Sequence, residues 1–461
     1  MVHPSSFRDP SGEIFLHQGQ VYRNISKLYK ENYLHLINSG LYQELVRLQL
    51  LIPHKEVRSI KSSPLFDHFK TIKPLQIPFI SYPYEWSISQ LKDAALTILT
   101  IQKIALEHQM ILKDASAYNI QFFQGKPILI DTLSFEKYQE GQPWIAYRQF
   151  CMHFLAPLML MKHTDRQLNK LMQLYIDGIP LDLASKLLPV HTYLNRGILF
   201  HLHLHSKAQV YFASRHKDTK KSAVSRRGLE GLQDDLSNIV EKITLADSQT
   251  EWGDYYNNHN YSIKALAEKS RLVSQLVKQT RPKTIWDFGS NNGMYSHLFK
   301  RKDLQIVSFD YDTQAVESNY LYCRKYNLVT CLPLLMDLKN PSPEIGWGNQ
   351  ERYSLTQRGP TDTLLVLALL HHLVITNNIP FIKLAQWFNQ LCQNMIIEFV
   401  PKTDSQVKKL LANRDNFLYD YDVEQFERVF SKHFRILKKQ HIQDSERIIY
   451  LMKTRGGETL G

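Results

Sequence analysis

Apolar positions along the chain fall into two regimes, separated by a polar stretch over residues 214–231 in which their periodicity lapses. Beyond it, Leu232, Leu236, Ile239, Val240 and Ile243 recur at helical spacing and predict a helix over residues 232–245. Ile263, Leu266, Ala267, Leu272, Val273 and Leu276 predict a second helix over residues 262–279, which Pro282 ends. From Thr284 onward short apolar runs take over: TIWDFG, LQIVSFD, TCLPLLMD, DTLLVLALL and MIIEFV, with a last pair near FRILKKQ and RIIYLMK. Helical stretches around residues 296–301, 313–327, 382–392 and 422–433 lie between them. Such alternation predicts an α/β sheet of mostly parallel strands with helices on both faces.

The region before the polar stretch is mixed. Leu91, Ala94, Ala95, Ile98, Leu99, Ile101, Ile104 and Ala105 predict a long helix over residues 91–108. Two apolar runs, residues 120–123 and 128–130, flank the turn Gln124-Gly125-Lys126-Pro127 and predict a hairpin. The expected layout is therefore an α+β domain over residues 1–213, a basic linker with a connecting helix over 214–250, and an α/β domain over 251–461.

Composition narrows the class. Hydrophobic residues at 43% and charged residues at 22% describe a globular chain. No uncharged apolar run approaches the roughly 18 residues of a membrane span, and MVHPSSFRDPSGE has no apolar core of a signal peptide. Cys151, Cys323, Cys331 and Cys392 match no zinc spacing and no disulfide framework, so no metal is expected and a reducing cytoplasm is the expected location. The formal charge is +12, and half of that excess lies between Ser206 and Gly228, where Lys207, Arg215, Lys217, Lys220, Lys221, Arg226 and Arg227 face a single acid, Asp218. A solvated linker and a nucleic-acid anchor share this composition. No aromatic platform or nucleic-acid-binding motif is interleaved with the charges, which favours the linker.

The densest chemistry is in Ile285-Trp286-Asp287-Phe288-Gly289-Ser290-Asn291-Asn292-Gly293. Gly289 permits a tight turn at a strand end, and Gly293 allows a helix to start close to the sheet with its N–H groups toward a ligand. Asp310 ends the next apolar run, where a carboxylate can accept both hydroxyls of a ribose; Asp337 ends the run after it, placed to meet an adenine amino group. A glycine turn and two acids at successive strand ends mark a nucleoside site in such a sheet.

On these residues the segment from about 252 to 453 resembles the class I (Rossmann-like) S-adenosylmethionine-dependent methyltransferases. Their hydrophobic-x-Asp-x-Gly-x-Gly-x-Gly pattern falls on Asp287, Gly289, Asn291 and Gly293, with Asn291 in place of the middle glycine. The resemblance implies S-adenosylmethionine as cofactor, held by Asp287, Gly289, Ser290, Asn291, Gly293, Asp310 and Asp337. It implies in-line methyl transfer, to a small molecule or a macromolecule. The fourth run ends in Leu369-Leu370-His371-His372-Leu373 and lacks the Asn/Asp-Pro-Pro-aromatic tetrapeptide of many base N-methylating relatives. His371 first, and after it His372, is placed to act as base or positioner for the acceptor; the alternative is that one caps the strand and the other contacts the loop or solvent. Tyr261 and Lys269, in the preceding tyrosine-rich stretch and helix, are candidates for the methionine end of the cofactor, with packing as the alternative. Glu398 either lines the acceptor pocket or pairs with Lys402.

In the first half, Asp114, Asn119 and, beyond the hairpin, Asp131 resemble the catalytic loop and metal-binding strand of protein-kinase-like folds, small-molecule phosphotransferases in particular. The resemblance implies a base at Asp114 and magnesium ligands at Asn119 and Asp131, with the inter-lobe hinge at residues 80–85. Departures are evident: there is no glycine-rich phosphate loop, the phosphate lysine has no clear counterpart beyond Lys55, and Asp-Phe-Gly reads Asp131-Thr132-Leu133. Phosphotransfer, a non-catalytic nucleotide-binding or acceptor-presenting module, and an unrelated α/β domain all stay open. On a strand His201, His203 and His205 would share one face, but helical neighbours on both sides disfavour a strand and no carboxylate or cysteine sits beside them, so packing is expected.

Overall fold

The computed structural model describes residues 2–58, 60, 67–207, 223–244, 262–412 and 421–455. They form two compact units: Met1–Asp247 together with Glu344–Arg352, and Ser248–Pro343 together with Tyr353–Gly461. Among the described residues no helix is long and apolar enough to cross a membrane.

The first unit begins with an antiparallel sheet of β1 (Gly12–His17), β2 (Gln20–Ser26), β3 (His54–Val57) and β4 (His68–Pro74), in the order β1-β2-β4-β3. A tight turn at Pro83–Glu85 leads into the helix Ile88–Glu107. Ser87 caps that helix by accepting from the Gln90 N–H, while the Gln90 side chain returns to the Ser87 N–H, satisfying two orphan donors. The helix is followed by β5 (Met110–Leu112), paired with β8 (Phe135–Lys137). Between these lies the hairpin of β6 (Ile120–Phe123) and β7 (Lys126–Leu129), turning through positive φ at Gln124 and Gly125. Turn, long helix, loop and hairpin follow one another in the order expected from the sequence.

One local expectation fails here. The helix expected over residues 232–245 spans Arg226–Glu241 instead, capped by Ser225, because Leu229 is buried and Gln233 donates to the Leu99 carbonyl of the long helix at 2.6 Å. Packing on a neighbour thus extends a helix through glycines that read as linker; the rest of the basic stretch, residues 208–222, lies outside the described residues. Of the alternating histidines, His201 and His203 lie on a π-helix, Leu199–Leu204, and His205 follows it in helical conformation, in keeping with the helical neighbours that disfavour a strand. His201 bonds Tyr147 and Asp235, His203 bonds Ser185 and Thr192, and His205 stacks on Tyr147. Each ring is engaged by neighbouring side chains, Tyr147 serving both His201 and His205.

The second unit is a seven-stranded sheet of β9 (Thr284–Phe288), β10 (Gln305–Asp310), β11 (Cys331–Leu335), β12 (Thr361–Val366), β13 (Cys392–Phe399), β14 (Phe434–His441) and β15 (Ile448–Thr454). Its order is β11-β10-β9-β12-β13-β15-β14. The first five strands are parallel, and β15 runs antiparallel to both β13 and β14. Burial on both faces explains why β10 to β13 read as nearly continuous apolar runs. The chain leaves β9 for β10 on one side and later returns to β12 on the other. The carboxyl ends of β9 and β12 therefore bound the crevice where doubly wound sheets bind ligands.

One element is shorter than expected. Residues 296–301 hold only a single 3-10 turn, Ser296–Leu298, and Gly293 has φ +84°. Its glycine requirement comes from close approach: a Cβ there would meet the Asn319 side chain at 2.5 Å and His297 Nε2 at 2.6 Å. The turn is therefore shaped by packing against the helix Thr313–Lys325, and no α-helix N-terminus stands behind it.

Candidate active site

A cavity opens at the carboxyl ends of β9 to β12. Gly289, at φ +69°, turns the chain out of β9, and both Gly289 N–H and Ser290 N–H donate to the Phe309 carbonyl of β10. Asn291 continues the turn at φ +50°, a region Asn tolerates. Its N–H donates to Asp310 Oδ2 at 2.7 Å, and the Asp312 N–H donates to Asp310 Oδ1 at 3.0 Å. The ribose-acid candidate is thus oriented by two backbone donors, and burial pushes its pKa up to about 6.

Asp287 lies on the same wall, accepting from Ser296 Oγ at 2.7 Å, and burial pushes its carboxyl up to about 7. Beside it Lys269, from the helix Ile263–Thr280, reaches Glu398 Oε2 at 2.7 Å and lies 4.7 Å from the centre of the Tyr295 ring. Burial lowers the Lys269 pKa, and Glu398 opposes that shift. Asp337 follows β11, held by the Lys339 N–H at 3.0 Å, with Met336 and Leu338 as apolar neighbours in the wall.

Asp287, Gly289, Asn291, Asp310, Asp337 and Lys269 all line this cavity. Ser290 and Gly293 stand behind the wall rather than on it, because the turn packs both inward. Tyr261 lies outside the described residues. His371 is buried, with Nδ1 lacking a hydrogen-bond partner, whereas its neighbour His372 lines the cavity; their ring centroids are 4.2 Å apart. The cause is a π-helix, His372–Thr376, that starts at this point and rotates successive side chains differently from an α-helix or strand. Burial lowers the His372 pKa to about 4, so its imidazole is neutral at physiological pH.

Glu398 takes neither of its expected roles. It is fully buried beneath the site, paired with Lys269 and 3.6 Å from Arg447, which also bonds Asp404 at 2.8 Å. Sequence reasoning missed this network because its members come from three distant segments. It also missed Tyr311, Thr376 and Asn377 on the cavity wall. Tyr311 had a signal, its adjacency to Asp310; the other two depend on the π-helix.

In the first unit Asp114 accepts from the Ser116 N–H, Asn119 Nδ2 and Gln149 Nε2. Asp131 is bound by Arg23 of β2 and by the Leu133 N–H. A guanidinium therefore faces the carboxylate that the kinase resemblance assigns to magnesium. Lys55 is exposed on β3, opposite Lys73. The segment Glu344–Arg352 belongs to this unit: Glu351 accepts from Arg8 Nε and Nη2 at 2.8 and 2.7 Å, and Arg352 lies 4.8 Å from the Tyr118 ring centre.

The strand order, the glycine turn at the end of β9 and the acids at successive strand ends define the second unit as a class I, Rossmann-like methyltransferase fold. No known protein-family profile matches the chain. It is 31% identical over 457 residues to nodulation protein NoeA of Rhizobium meliloti (strain 1021), covering 96% of this chain and 94% of that one. The chain belongs to the family of NoeA.

Similar solved structures include the bifunctional kinase-methyltransferase WbdD, at 12% identity over 47% of this chain and 46% of its own, with TM-score 0.32. The chain thus spans about half the length of WbdD. The 16S rRNA methylase ArmA aligns at 14% identity over 45% of this chain and 100% of its own, TM-score 0.30. The N-methyltransferase NodS from Bradyrhizobium japonicum WM9 aligns at 8% identity over 42% and 98%, TM-score 0.31.

Proposed function

We propose that the chain is an S-adenosylmethionine-dependent methyltransferase whose cofactor lies in the cavity at the ends of β9 to β12. The observation that carries this reading is the convergence of Asp287, Gly289, Asn291, Asp310 and Asp337 on one cavity. The donor set suits the cofactor's chemistry. An amino-acid end needs one group of each sign, and Asp287 and Lys269 supply them on the same wall. Asp310 is oriented to accept from the ribose diol, and Asp337 from the adenine amino group, with Met336 and Leu338 against the base. When bound, the cofactor supplies an electrophilic sulfonium methyl.

The chain's own part is positioning. Gly289 keeps the turn thin enough for the cofactor to approach the backbone. Leu369, Leu373 and His372 close the remaining side. His372, uncharged, is the residue placed to orient an acceptor or take its proton; His371 supports it from behind. The acceptor is a molecule, small or large, whose nucleophilic atom reaches past His372.

The first unit is better suited to binding or presenting the acceptor than to phosphotransfer, because Arg23 already compensates Asp131. Titration calorimetry with S-adenosylmethionine, and separately with ATP and magnesium, tests both readings. Micromolar binding of the first alone supports them; binding of ATP without S-adenosylmethionine overturns them.

A further inference from the structure

Behind the cofactor turn, two of the four cysteines meet a histidine. Cys323 lies in the last turn of the helix Thr313–Lys325, Cys331 opens β11, and His297 is the middle residue of the turn Ser296–Leu298 that follows Gly293. Their sulfur and nitrogen atoms all lie within 4.8 Å of one another. We propose that His297, Cys323 and Cys331 form a zinc site that ties the cofactor turn to the helix and strand behind it.

The spacing suits the ion. Zinc takes thiolates at about 2.3 Å and imidazole at about 2.0 Å; in a tetrahedron that sets sulfur and nitrogen roughly 3.6 Å apart. Cys323 Sγ and His297 Nε2 stand 3.7 Å apart. Beside the fourth position, Asn319 Oδ1 accepts hydrogen bonds from His297 Nε2 at 2.8 Å and Cys323 Sγ at 3.4 Å, the two protons that a zinc ion would replace. The amide's orientation is set from the far side, where Asn319 Nδ2 donates to Ser308 Oγ at 3.0 Å. The fourth position itself is left to that oxygen or to a water, so the site has three strong ligands and one exchangeable position.

Electrostatics agree. Cys323, Cys331, Asn319 and Ser308 are buried, and two thiolates with one divalent ion sum to zero charge, so the loaded site leaves no uncompensated charge in the interior. The imidazole ligates zinc once Nε2 gives up the proton it donates to Asn319 Oδ1 and the other ring nitrogen carries it. Its ring stacks on Tyr322, with centroids 4.4 Å apart and planes 9° from parallel, which restricts its rotation. Cys151 and Cys392 are buried without belonging to this cluster.

The site bears on the cofactor motif. The Gly293 backbone approaches both Asn319 and His297 so closely that a Cβ would collide with them. Zinc at this point would link the turn Gly289–Gly293 to the helix and to the edge strand β11, stiffening the wall that carries Asp310 and Asp337.

The test uses the reduced, metal-stripped full chain titrated with cobalt(II), followed by zinc. One equivalent of cobalt is expected to give thiolate charge-transfer absorption in the near ultraviolet, which zinc then abolishes. The band should persist in Cys151→Ser and disappear in Cys323→Ser and Cys331→Ser. Because the latter variants can misfold, zinc K-edge absorption of the loaded wild-type chain reads the ligands directly. A shell with two sulfurs supports the site. Absence of the cobalt band in the wild-type chain, or a zinc shell of only nitrogen and oxygen, overturns it.

Discussion

Lys269 Nζ and Glu398 Oε2 meet at 2.7 Å with both side chains withdrawn from solvent, one on the cavity wall and the other beneath it. Removing one member of such a pair strands the other. Glu398→Ala leaves Lys269 and Arg447 without their shared anion and is expected to destabilise the second unit by about 3–5 kcal/mol. Urea unfolding monitored alongside cofactor binding checks this. A shift below about 1 kcal/mol would mean the pair is solvated.

Asp310 is the residue on which cofactor affinity should depend most. Asp310→Ala removes the acceptor for two hydroxyls and releases the Asn291 and Asp312 N–H groups, so S-adenosylmethionine binding is expected to weaken by about 100-fold. Calorimetry on a variant with unchanged circular dichroism reads the effect. Unaltered affinity would remove Asp310 from the site.

Asp287 links binding to pH. Burial raises its pKa to about 7, and in the proposed site the cofactor's ammonium would require the ionised form. Protonation therefore competes with the ligand: affinity should hold above about pH 7 and decline as pH falls through that value. Asp287→Asn should bind more weakly and lose this pH dependence. A wild-type affinity that stays flat through neutrality contradicts the assignment.

The adjacent histidines should separate in kinetics. His372→Ala is expected to lower kcat by about 10²-fold or more if the imidazole takes the acceptor's proton, with cofactor Kd unchanged. Because burial lowers the His372 pKa to about 4, kcat at saturating cofactor should show no acid limb near the ordinary histidine range. His371→Ala should act on stability, through the buried space it empties. Equal kcat effects from both substitutions would mean that neither contacts the acceptor.

Arg23 gives the first unit its own test. With the guanidinium on Asp131, magnesium and ATP should not raise the melting temperature of the full chain. A rise of several degrees would show that the arginine yields to the metal.

Much of the second unit was legible because its signals are local. A buried parallel strand reads as an apolar run, a chain turning sharply at its end needs Gly289, and the acids at the next strand ends stand immediately after the runs they terminate. The hairpin around Gln124 and Gly125 was legible for the same reason, since turn chemistry involves only neighbouring residues.

What the sequence by itself determined was therefore the strands, their turns and the carboxylates at their ends. Only the tertiary structure decided which of two adjacent histidines faces the cavity, because a π-helix rather than a strand begins at His372. It alone decided that Glu398 serves Lys269 and Arg447, that Arg23 occupies the place beside Asp131, that Glu344–Arg352 folds with the first unit, and that His297 meets Cys323 and Cys331. Each of these depends on side chains from separate elements arriving at one point. Side-chain proximity of that kind is set by how elements pack, which residue spacing along the chain does not encode.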